Sequence, residues 1–118
     1  MAYILTHINN NKNQMPKLFN TEFEAFDNLK HQIAELLWND RDYEDIITSI
    51  IYDDAHNLIT DDGDRIIEMI ISAIMNIDFS DVVNATKNAV YIGENKHLFQ
   101  IFDLDDKDTI IDHTDFFG

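Results

Sequence analysis

Apolar residues along this chain follow two different spacings. Near the start, Ala2–Ile8 (AYILTHI) is rich in β-forming residues and runs into the asparagine-rich stretch NNNKNQMP, so it reads as a strand followed by a loop. Pro16 has no backbone N–H, which limits 15–19 to at most an edge segment. From about 22 to 38 the spacing changes. Phe26, Leu29, Ile33, Leu36 and Leu37 recur at three and four residues, with Asn20 or Thr21 placed to cap a helix, and Glu22, Asp27, Lys30 and Glu35 fall largely off that stripe. A second helix is expected from about Asp42 to 56, where Tyr43, Ile46, Ile47, Ile50 and Ile51 complete one apolar face. The turn TDDGD (60–64) introduces a third, from about 64 to 77. It is apolar almost all round apart from the stripe Glu68, Ser72 and Asn76, which predicts a central core helix buried on most sides, or one that shares part of its surface with a second copy.

Beyond it, Ser80 is placed to cap a short helical turn through SDVVNAT. Two β-rich runs then flank GENK and predict a hairpin over 89–104. With the first strand this gives a three-stranded antiparallel sheet, which needs helices on one face. The expectation is therefore an α+β fold: a three-helix layer packed on a small three-stranded sheet, in the order β-α-α-α-β-β, as a single domain over 1–118. Ile110, Ile111, Phe116 and Phe117 are expected to tuck the acidic tail onto the body. A chain of 118 residues has room for one core, and its 45% apolar content argues against disorder.

Charge changes this picture most. There are 23 acids against 8 Lys and Arg, a formal net charge of −15. The charge is clustered: +2 over 1–19, −11 over 20–68, −1 over 69–102 and −5 over 103–118. Asp40, Asp42, Glu44 and Asp45 crowd the start of the second helix, where its dipole favours them. Asp53 and Asp54 lie near its expected end, where the dipole does not. With Asp61, Asp62 and Asp64 in the following turn, these nine are the candidate partner-binding residues. Such a surface repels nucleic acid and anionic membranes and suits basic partners or cations.

The chemistry of the remaining residues is sparse. The three glycines, Gly63, Gly93 and Gly118, form no phosphate loop, and no serine sits in a nucleophile elbow. The five histidines are scattered without metal-ligand spacing. DLDDKDTIID, read as a calcium loop from Asp103, places Lys107, Asp108 and Thr114 where an oxygen ligand, glycine and glutamate belong. Carboxylates lie in polar runs rather than the apolar pockets that raise a catalytic pKa. No enzyme, cofactor or dedicated metal site is expected. Absence of cysteine, of a secretory signal and of an apolar run near 18 residues fits a cytoplasmic chain.

Carboxylates spaced along helices imitate the phosphates of duplex DNA, which presents about one charge per 1.7 Å of axis. Tyr43 and Tyr52 are candidate aromatic anchors at such a contact, although Tyr43 also belongs to the apolar stripe. In size, charge and lack of catalytic motifs the whole chain resembles the small acidic proteins by which phages block host-defence nucleases, including DNA-mimicking anti-CRISPR and anti-restriction proteins. The resemblance implies a non-catalytic inhibitor whose partner is a basic nucleic-acid-binding protein in the host cytoplasm. The alternative is a regulatory or structural interaction module, dimeric in one version, whose acidity serves solubility alone.

Overall fold

The computed structural model describes residues 2–9, 12–75, 82–93, 96–106 and 109–117, with backbone alone at 109, 115 and 117. The strands are β1 (Tyr3–Asn9), β2 (Lys12–Asn13), β3 (Lys17–Phe19), β4 (Val83–Ala85), β5 (Val90–Ile92), β6 (His97–Asp103) and β7 (Thr109–Ile110). The helices are α1 (Glu22–Asn39), α2 (Glu44–Ile51) and α3 (Gly63–Met75), with 3-10 turns at Arg41–Tyr43 and His113–Phe117. Two compact units emerge: Met1–Leu29 with Ser80–Gly118, and Lys30–Phe79. Among the described residues no helix is long and apolar enough to cross a membrane.

The first unit carries the sheet, and the sheet corrects the sequence expectation. It has seven antiparallel strands rather than three, ordered β2-β1-β6-β5-β4 with β3 on β1 and β7 on β6, so the order β-α-α-α-β-β does not hold. The four unforeseen strands are two or three residues long. That is too short for a two-residue alternation to be legible. β4 replaces the helical turn expected through SDVVNAT, of which Ser80 and Asp81 lie outside the described residues. Val83 instead pairs with Ile92, and the Thr86 hydroxyl accepts the N–H groups of Asn88 and Ala89 to turn the chain into β5.

β2 and β3 are one edge position interrupted. Ile8 faces Asn13, whereas Leu5 faces Lys17, so three residues, 14–16, stand opposite the two residues Thr6 and His7. Pro16, which cannot donate to a ladder, falls in this bulge. On the inner face of the sheet Tyr3, Leu5, Val90, Ile92, Phe99 and Ile101 are buried. Ala25, Phe26 and Leu29 of α1 are buried in the same unit. Thr21 caps that helix by accepting the N–H of Glu24 at 3.1 Å, while the Glu24 carboxylate accepts the N–H of Asn20 at 3.4 Å.

The tail does more than cover apolar surface. β5 pairs with β6 as far as Phe99, and β7 takes over at Phe102. In the gap the buried His113 ring stands in for a strand. Its Nε2 accepts the Ile101 N–H at 2.8 Å, and its Nδ1, at 3.3 Å, donates to the Lys87 carbonyl. These two bonds fix the neutral tautomer with the proton on Nδ1. Asp112 sets the turn that delivers the ring: it accepts from the Thr114 N–H and hydroxyl, bonds that hold its carboxyl below the usual range. Phe116, fully buried, anchors the end, and the side chain of Phe117 lies outside the described residues.

In the second unit, α2 ends at Ile51, five residues short of expectation, and α3 runs from Gly63 to Met75, with Asn76 and Ile77 outside the described residues. α3 has the largest buried share of the three helices, five of its 13 residues against six of 18 in α1, though not all round as the sequence suggests. Ile66, Ile67, Ile70, Ala73 and Ile74 form one buried face, while Glu68 and Ser72 are exposed and Met69, Ile71 and Met75 are half-buried. The buried stripe of α1 is the more completely enclosed, with Ala25, Leu29, Ile33, Ala34 and Leu37 all at 0% exposure.

Burial pushes the His113 imidazole below its ordinary value, against the opposing pull of its backbone hydrogen bonds. His7 is lowered too, by burial and by its neighbour His97. Below about pH 6.5 the unfolded chain binds protons that the native chain refuses. Stability from these groups is complete above that pH and is lost as pH falls toward the lowered native values. Urea midpoints should therefore drop between neutral and mildly acid pH, and His113→Gln should flatten that drop while lowering the midpoint at neutral pH.

Candidate functional site

All nine candidate acids fall in the unit Lys30–Phe79. Eight are exposed and Asp40 is half-buried. By sequence this unit holds 12 acids against Lys30, Arg41 and Arg65.

Local backbone chemistry explains some of these positions. Asp40 caps the 3-10 turn by accepting the Asp42 N–H at 3.0 Å. Asp62 accepts the Asp64 N–H at 3.1 Å at the start of α3. Asp53 lies beyond the helix, so the argument from an unfavourable dipole fails for it. Its carboxylate instead accepts the N–H groups of Ala55 and Asn57 at 3.0 and 2.9 Å. It thereby organises a tight loop closed by the Tyr52–Leu58 bridge, with His56 in the left-handed region at φ 61°.

Between the end of α1 and α2 lies a groove of about 340 Å³. Trp38 and Tyr52 form its aromatic walls, each 38% exposed, and Ile47 and Ile51 line its interior. Asp40 and Glu44 bring two carboxylates to it, and Arg41 a single cation. A Cβ built on Gly63 would lie 3.7 Å from the Trp38 ring. Trp38 therefore sits beside the glycine that Asp62 and Asp64 flank, and Tyr52 directly precedes Asp53. The structure thus places Asp40 and Glu44 in the groove and Gly63 beside its Trp38 wall. Asp42, Asp45, Asp53, Asp54, Asp61, Asp62 and Asp64 are exposed but line no part of it.

Aromatic faces next to carboxylates suit a guanidinium or ammonium group: the ring quadrupole and the carboxylate both attract the cation. Tyr43 is buried and is not an anchor. Trp38 is instead an exposed ring at the groove, and sequence reasoning did not single it out. The available signal was the chain's single tryptophan one step off the apolar stripe, directly before Asn39 and Asp40. Among the described residues no three His, Asp or Glu converge to hold a metal ion. No family model, curated protein or solved structure matches this chain.

Asp53 and Asp54 are expected to behave differently when shortened. Asp53→Ala strips two N–H groups of their acceptor and should cost about 1 kcal/mol. Asp54→Ala should stay within about 0.5 kcal/mol of the parent. Chemical denaturation of the two variants side by side checks the contrast.

Proposed function

We propose that this chain is a non-catalytic binding protein that occludes a basic, nucleic-acid-binding surface of a partner protein. It would act in the cytoplasm, as a phage-encoded inhibitor of a host-defence nuclease does. The observation that carries this reading is the convergence at Trp38. Asp40 and Glu44 line a groove walled by Trp38 and Tyr52, and Gly63, between Asp62 and Asp64, lies beside Trp38, in the unit that holds most of the net negative charge. A partner that binds DNA must present Lys and Arg, and such a groove offers those side chains both a carboxylate and a ring. Each well-formed charge-assisted contact contributes about 1.5–3 kcal/mol before ordering costs.

The test leaves Asp53 and Asp62 in place, since they hold backbone. Trp38→Ala, Glu44→Lys and Asp64→Lys are combined, and circular dichroism establishes that the fold is retained. Immobilised protein is then used to capture basic proteins from bacterial lysate at low salt, and elution with a short DNA duplex is measured. The parent should capture a partner that the duplex displaces, and the triple variant should bind it more weakly with a shallower dependence of log affinity on log salt. Capture that DNA does not displace, or that the variant retains in full, overturns the reading.

A further inference from the structure

The sheet has a second face, and the strand register defines it completely. Ile4 stands opposite Leu18 on one side and Phe102 on the other, and Phe102 opposite Ile110. Thr6 faces Gln100. Ile8 stands between Asn13 and Leu98, and the row continues through Tyr91 to Asn84. Directly opposed residues share a face, so these eleven positions form one surface: two largely apolar rows with an uncharged polar row between them.

None of the eleven is ionisable below the tyrosine range. At the chain's 26% charged content, about three would be expected. The surface is open to solvent. Every residue of it is half-buried or exposed, Leu18 is 68% exposed, and the neighbouring Met15 in the bulge is 89% exposed. A depression of about 340 Å³ lies on it, where Pro16 and Gln14 rise beside Thr6, Ile8, Gln100 and Phe102. An antiparallel sheet with one solvated face ordinarily alternates apolar inward with polar, often charged, outward. Here the outward positions are apolar or neutral.

We propose that this uncharged face is a homodimer interface, on which two copies pack sheet against sheet. Charge identifies the occupant. A chain of net charge −15 repels its own copies over any surface that carries its carboxylates. This face is one on which two copies meet without opposing like charges. A cationic partner, by contrast, gains nothing from it. Two seven-residue strands with their short flanking strands span on the order of 400 Å² in projection. That is enough for a modest association, below the ~800 Å² per partner of a standard interface. A two-fold axis near Thr6 and Gln100 would place the apolar rows of one copy over those of the other.

The inference does not depend on the acidic groove, and salt separates the two. Binding of a basic partner weakens as salt rises, whereas this dimer strengthens, because salt screens the repulsion between the acidic remainders of the two copies. Sedimentation velocity of the full chain over a concentration series, at low and high salt, reads the equilibrium directly. The parent should dimerise, more tightly at high salt. Leu18→Lys should weaken the dimer by at least about tenfold. Because that change lowers the net negative charge, the weakening would not follow from overall repulsion. Phe23→Lys, at an exposed apolar position of α1 away from this face, should leave the dimer intact. Thr6→Lys, at the centre of the face, provides a second disrupting variant. A chain that stays monomeric throughout the series overturns the proposal. So does a dimer that tolerates both face variants, or one that Phe23→Lys disrupts equally.

Discussion

The pairing of β1 with β6 is the contact on which the sheet depends. Seven consecutive pairs join Tyr3–Asn9 to His97–Asp103, across sequence separations of 88 to 100 residues. Every other strand but β4 attaches directly to one of these two, and β4 attaches through β5. The pairing also positions side chains. His7 lies opposite Phe99 and stacks on it at 4.1 Å, while its Nε2 sits 3.0 Å from the Nδ1 of His97, so one ring donates and the other accepts. Residues 30–79 are therefore an insertion between two segments that must find each other. Loop-closure entropy rises only slowly with insert length, about 0.6 kcal/mol per doubling, so a whole second unit is tolerated there. The kinetic consequence is larger than the thermodynamic one, because pairings between distant segments raise the contact order and so slow folding.

This division of the chain is also a division of charge. The inserted unit holds most of the net negative charge, and its acids gather at helix starts and in the loop after α2. The sheet's outer face holds none. Carboxylates are absent from the one face on which two copies of so acidic a chain would meet without repelling each other, and they crowd the helix starts and loops of the inserted unit instead.

The long periodic features were legible in the sequence. α1 was readable because its stripe, Phe26 to Leu37, repeats over about three turns, and the β5–β6 hairpin and β1 because runs of β-formers flank clear loop signals. The short strands were not, since a pair such as Lys12–Asn13 carries no pattern of its own and exists only because β1 offers an edge. β4 was misread because Ser80 suggested a cap, while Val83, whose branched side chain packs on β5, favoured a strand. The burial of α3 was overestimated because apolar residues beside the polar stripe need not be enclosed: Met69 and Ile71 are only half-buried. The candidate acids were legible as clusters, but not their local roles. Nothing in the sequence separates Asp53, which holds a loop, from Asp54, which does not.

Those local roles bear on recognition as well as on folding. A carboxylate that accepts backbone N–H bonds keeps its charge but loses its freedom to move. Asp40, Asp53 and Asp62 are fixed in this way, at the 3-10 turn before α2, in the loop after it and at the start of α3. Ordering a surface side chain on binding costs about 0.5–1.5 kcal/mol each. Three charges whose positions are already set avoid most of that cost. A decoy for a phosphate backbone needs charges at defined separations, because its competitor is a regular polyanion. The backbone bonds that make these aspartates look merely structural are therefore the same bonds that would make them effective as fixed charges.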